Sequence, residues 1–314
     1  MTAETIAVSH SVSQVAPPHS TFKGFWFTIF FTHTKGGKGS HDMIEATQLN
    51  PKPIPEVHLD RAPLARVLAQ ARFPPILAIS KADEVASFQE ALRETYPNLS
   101  RDQVHSIELT GGQTPNVQQG LIWRLADGET EPAWRVSLGV DFVALETSDY
   151  DSRNDFLARF GDVLSAVEES FSPASASRLG VRYIDRLTGA AVERIGELIH
   201  AEILGVIQPT DTLDSSLRES VIHQITEAQF RAPGGTRIQG RWGRLPANTT
   251  FDPNALEAVE VPSWVLDLDM FTTQSQDFVS EDLVTTARSF AECLYWLFRQ
   301  MVTMEFLRFH GGEP

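Results

Sequence analysis

Apolar and polar residues alternate through Trp134, Val136, Leu138, Val140 and Phe142, the period of a strand with one buried face. Val143 and Leu145 then shift the register, which predicts a bulge or burial on both faces. A helix follows, capped by Asp149 or Ser152, with a stripe of Phe156, Phe160, Val163, Leu164, Val167 and Phe171 and a stop at Pro173. The pattern recurs near the end of the chain. Trp264, Leu266, Leu268 and Met270 alternate. A helix over about Ser280–Phe306 then places Phe290, Leu294, Leu297, Met301 and Met304 on one side. Trp134 and Trp264, Phe160 and Phe290, and Leu164 and Leu294 keep a common spacing, so Trp134–Phe171 and Trp264–Phe298 read as two copies of one pattern.

The remaining segments fill in around these copies. Leu64–Ile79 reads as a strand cut by Pro74-Pro75, and Lys81–Tyr96 as a helix stopped by Pro97. Val104–Leu109 and Leu121–Leu125 read as strands, and Asp127-Gly128 signals a hairpin. Arg178–Leu187 is a strand with Leu179, Val181 and Tyr183 on one face, and Val192–Leu204 is a helix. Ser220–Phe230 and Thr236–Trp242 are strands joined at Pro233-Gly234-Gly235. The order predicts an α+β fold of mostly antiparallel sheets. It is a duplicated strand, helix, three-strand meander, helix unit, with halves 43–175 and 176–314 related by a pseudo-twofold axis.

Residues 1–42 differ from the rest. They hold His10, His19, His33 and His41 among Ser, Thr and Pro with no sustained period, and read as a disordered tail. The alternative is a start site set too far upstream, with Met43 as the native start, because Lys35-Gly36-Gly37-Lys38-Gly39 fits a translated ribosome-binding site. The apolar run Phe25–Phe31 is too short to span a bilayer and lacks the layout of a signal peptide.

Composition narrows the function classes. A net charge of −15 disfavours a general nucleic-acid binder, which needs a basic surface. Cys293 is the one cysteine, so a disulfide within the chain and a cysteine metal cluster are excluded, and a reducing cytoplasm is expected. His58, His105, His200, His223 and His310 show no metal-ligand spacing, and neither a serine-hydrolase elbow nor a phosphate-binding glycine loop is present. No cofactor, metal or membrane association is expected.

The densest polar group in a predicted core strand is Arg178, Arg182, Tyr183, Asp185 and Arg186. Strand parity sends the three arginines to one face and Tyr183 and Asp185 to the other. An arginine row suits an anion such as phosphate or carboxylate; equally, it suits pairing with acids on neighbouring elements, for instance Asp141 or Glu146. Tyr150 and Arg153 sit at a strand-to-helix turn and are candidates to line a pocket, or serve as a cap and a solvated charge. Asp267 and Asp269 read as solvated carboxylates on a polar strand face.

Ala71–Ile76 (ARFPPI), Phe142–Leu164 and Arg178–Leu187 (RLGVRYIDRL) are similar to the signature segments of a sporadically distributed family of uncharacterised bacterial and archaeal proteins. The final helix has the position of that family's closing helix, and the likeness covers about Leu59–Gly311. Asp185 stands where the family usually has Asn. The resemblance implies no activity, and its patchy distribution implies a mobile-gene setting such as phage defence or a toxin–antitoxin pair. The expected function is a non-enzymatic binding module that meets a protein partner or itself. The alternatives are a sensor of a small anionic ligand with its site between the halves, and an enzyme whose site follows no known motif.

Overall fold

A computed structural model describes residues 47–108, 116–209 and 214–313, the side chains of 104–108 and 116–119 excepted. The segment 1–42, and with it the Phe25–Phe31 run, lies outside the described residues, as does the end of the Val104–Leu109 strand.

The first element, β1 (Leu64–Arg72), ends just before Pro74-Pro75, which lack ladder donors, and a short 3-10 turn at Leu77–Ser80 leads into α1 (Ala82–Leu92). Four strands follow, β2 (Asn98–Glu108), β3 (Asn116–Ala126), β4 (Trp134–Gly139) and β5 (Phe142–Thr147), and then α2 (Arg153–Phe171). A two-residue strand β6 (Ser175–Ala176) precedes β7 (Arg178–Thr188). Short helices α3 (Ala190–Glu193), α4 (Ile195–Leu198), α5 (Ala201–Leu204) and α6 (Ser215–Glu219) come next. The chain closes with β8 (Gln224–Arg231), β9 (Arg237–Leu245), β10 (Ser263–Phe271), β11 (Gln276–Asp277), α7 (Ser280–Met301) and α8 (Met304–Phe309).

Nine strands form one antiparallel sheet in the order β2-β3-β4-β5-β1-β7-β10-β9-β8, and β6 pairs with β11. This is the mixed fold with mostly antiparallel sheet that the periodicities predict. The three longest helices line one face, α1 against α2 and α2 against α7. Phe156, Phe160, Val163, Leu164 and Val167 of α2 meet Val67, Ala69 and Ala71 of β1, Leu179 and Val181 of β7, and Leu283, Phe290 and Leu294 of α7 in a single core. The other face carries a small cluster of Ile184, Leu245, Ala255, Leu256 and Val265, covered by the loop 246–262.

Several elements differ from the sequence reading. Trp134–Phe142 is not one strand. It turns at Val140-Asp141, and Gly139 pairs with Phe142. Across a two-residue turn the pairs Trp134–Thr147, Val136–Leu145 and Leu138–Val143 share a face, so the buried set passes from even to odd positions. The register shift at Val143 and Leu145 is therefore the turn, not a bulge, and the first meander has four strands. Trp134 consequently lies on β4, the third strand of its meander, whereas Trp264 lies on β10, the last strand of its own. The helix read at Val192–Leu204 is broken, and the last helix stops at Met301, for one shared reason. Ile199 bridges Val302, His200 N–H donates to Met301 O, and Thr303 N–H donates to Leu198 O. These tertiary hydrogen bonds replace helical ones in both segments. The strand read from Ser220 begins at Gln224.

Two contacts between distant parts of the chain matter for the site. The extended segment before β1 is tied to α7 and α8. Val57 N–H donates to the Tyr295 hydroxyl at 2.9 Å, Arg61 N–H donates to His310 O at 3.0 Å, and His310 Nδ1 lies 2.8 Å from Arg61 O. Arg186 N–H donates to Pro63 O at 2.8 Å, which anchors the far end of this strap on β7.

Candidate functional site

The parity of β7 divides the candidate residues between the two faces of the sheet. Arg182 projects from the face opposite the helices, beside Asp267 and Asp269 of β10. Its Nε donates to Asp267 Oδ1 at 2.7 Å, and its Nη2 donates to Asp267 Oδ2 at 3.0 Å and Asp252 Oδ2 at 2.8 Å. Arg241 Nε donates to the same Asp267 oxygen at 3.0 Å. Burial works against the Arg182 charge, but Asp267 and Asp252 outweigh it and hold the guanidinium above its ordinary value. Arg178 Nη2 donates to Asp269 Oδ2 at 2.9 Å, and its guanidinium lies over Phe271. Both charges are answered within the protein. Asp267 is 1% exposed, so the reading of it as a solvated carboxylate is corrected: it is the shared acceptor of a buried ion-pair network.

The opposite face of β7 faces a cavity of about 600 Å³. Its walls come from four places: the strap 56–64, the turn 148–153 between β5 and α2, Tyr183 and Asp185 of β7 with Leu268 of β10, and Ala291, Leu294, Tyr295 and Phe298 of α7. Local structure sets the turn. Ser152 caps α2 by accepting from Asp155 N–H at 3.2 Å, which fixes Arg153 at the first helical position. Asp149 N–H donates to Thr147 Oγ1 at 2.9 Å, and the Tyr150 ring packs against Phe156. Tyr150 and Tyr183 meet edge to face with centroids 5.8 Å apart and hydroxyls 3.5 Å apart. Burial pushes the Tyr183 hydroxyl up to about 12. Burial, and then the proximity of Tyr183, raise Tyr150 as well, so both are neutral donors.

Asp185 is the unusual member. It is 6% exposed and lines the cavity, yet among the described residues its carboxyl has neither a hydrogen-bond nor an ion-pair partner. Burial alone pushes it up to about 7. Arg153 is held between Glu56 at 3.5 Å and Glu292 at 4.0 Å, with its guanidinium over the Tyr295 ring.

The structure thus brings Tyr150, Arg153, Tyr183 and Asp185 to one cavity and places Arg178 and Arg182 on the other side of the sheet. Sequence reasoning missed Glu56, Tyr295 and Phe298. The two aromatics had a signal, since they stand off the main apolar stripe of α7 and need another neighbour; Glu56 had none. Among the described residues, no cluster of His, Cys, Asp or Glu could hold a metal ion, and no helix is long and apolar enough to cross a membrane. No family model matches this chain, and no curated protein matches it.

Proposed function

We propose that this chain is a binding protein that takes a small molecule into the cavity between the strap, β7 and α7. The observation that carries this reading is the convergence of Tyr150 and Arg153 with Tyr183 and Asp185 on one cavity. Polar groups gathered in a largely apolar concavity are the usual form of a ligand site. The cavity draws on both 43–175 and 176–314. The order of elements supports the further reading that these are two copies of one unit. In each, a first strand is followed by helix, then by a meander whose last strand returns to pair with the first, then by a long helix. The first strands, β1 and β7, lie antiparallel at the centre of the sheet. The common spacing of Trp134 and Trp264 does not contribute, because those residues sit on strands of different rank. The likeness to the sporadically distributed family remains part of this proposal.

An anionic ligand at the arginine row is disfavoured, since Arg178 and Arg182 are already paired. A second reading is catalysis by proton transfer, favoured by one observation: a carboxyl pushed up to about 7 at a cavity wall has the properties of a general base. Among the described residues β2 and β8 are the edges of the sheet, which supports association with a protein partner or a second copy. A thermal-shift screen with nucleotides, amines, sugars and organic acids tests the main reading. A stabilising compound whose effect disappears in Tyr150→Ala supports it. A shift unaffected by Tyr150→Ala, or no shift across the panel, removes it.

A further inference from the structure

We propose that the ligand of this cavity is a small organic amine, held as its ammonium by the Asp185 carboxylate against the rings of Tyr150, Tyr183, Tyr295 and Phe298. The inference rests on the binding reading above and assigns the chemical class.

Three features of the cavity point to a cation. Asp185 is buried, and among the described residues no protein group pairs with its carboxyl, so a bound ammonium would supply the partner it lacks there. A buried carboxylate is stable only when paired, and a donor-bearing cation supplies both the charge and the hydrogen bond. Second, the formal charge of the lining is negative. The carboxylates of Glu56, Asp60, Asp149, Asp151 and Asp185 stand against the guanidiniums of Arg61 and Arg153 alone. Arg153 is already taken up by Glu56 of this lining and by Glu292, and Arg61 by the Phe309 carbonyl at 2.8 Å, so the balance stays negative and neither guanidinium is free for an anion. Third, four aromatic residues share the lining. Ring faces attract ammonium groups, and more strongly as water is excluded. Arg153 over Tyr295, at 5.6 Å, shows this wall already holding a cation. An organic anion would meet the opposite conditions throughout: a bare carboxyl, a negative lining and electron-rich ring faces.

Matched probes of one shape separate charge from size: phenethylamine, 2-phenylethanol and 3-phenylpropionate, by calorimetry and thermal shift at pH 8. The expected result is binding of phenethylamine at least tenfold tighter than the alcohol, with no detectable binding of the acid. Asp185→Asn should lower amine affinity at least tenfold while the circular dichroism spectrum is retained and the alcohol binds as before. Equal or tighter binding of the acid overturns the assignment, as does amine binding unaltered in Asp185→Asn. If the alcohol or acid binds, with loss in Tyr150→Ala, and the amine does not, the cavity stands as a ligand site and the amine falls. If no probe binds, the amine assignment falls, and the wider screen above decides the binding reading separately.

Discussion

Replacing Asp185 by Asn should stabilise the protein, and the gain should depend on pH in a defined way. The unfolded carboxyl titrates near 3.8, and burial in the fold pushes it up to about 7. Between these values the folded state holds a proton that the unfolded state has released. Stability relative to the neutral Asn variant therefore falls as pH rises through this window, and levels off above about 8. A shift of roughly three units at 1.36 kcal/mol each sets a full effect of about 4 kcal/mol. About 3 kcal/mol of it is present by pH 6, and about 1 kcal/mol more accrues between pH 6 and pH 8. Because the sequence pI is near 5.0, working from pH 6 upward avoids precipitation. Urea unfolding of both proteins at pH 6, 7, 8 and 9 measures the difference. A constant difference from pH 6 to pH 9, or a wild-type protein more stable than the variant at pH 8, refutes the description of Asp185 as an unpartnered buried carboxyl.

Asp267→Ala leaves Arg182 and Arg241 without their shared acceptor, and should cost about 3–5 kcal/mol of stability in urea unfolding; a loss below 1 kcal/mol shows the network to be dispensable. Gly243 in β9 has φ +148°, and a Cβ there would meet Gln224 O of β8 at 1.9 Å. Gly243→Ala should therefore force the β8–β9 pair apart and cost at least about 2 kcal/mol, read as a fall in Tm. Cys293 is buried and its thiol is pushed up to about 11, so the native protein should resist an aromatic disulfide reagent at pH 8 until denaturant is added. Rapid reaction in native buffer contradicts that placement.

Period-2 and period-3.6 patterns revealed most elements, because one-sided burial writes them into the residues directly. The turn at Val140-Asp141 was hidden for a physical reason. Neither residue adopts a positive φ, so the glycine or asparagine that usually announces a tight hairpin is not needed. Val140 moreover continues the alternation of β4. The only trace was the parity change at Val143, which a bulge would also produce. The breaks at Ile199 and Val302 left no local trace at all, since the bond between them spans most of the second half. On β7, parity alone separated Tyr183 and Asp185 from the arginines correctly. Which face held the cavity was illegible, because the partners that neutralise Arg182 lie 70 and 85 residues away in the sequence.

The strap gives the protein a timetable. Val57 and its acceptor Tyr295 are separated by 238 residues. At a synthesis rate of about 5–20 residues per second, the strap exists for roughly 10–50 s before its anchor is made. β1 waits for β7 as well, though less long, and Asp185, once made, still lacks the wall that α7 supplies. Nascent or C-terminally truncated forms that lack α7 would therefore lack this wall of the cavity.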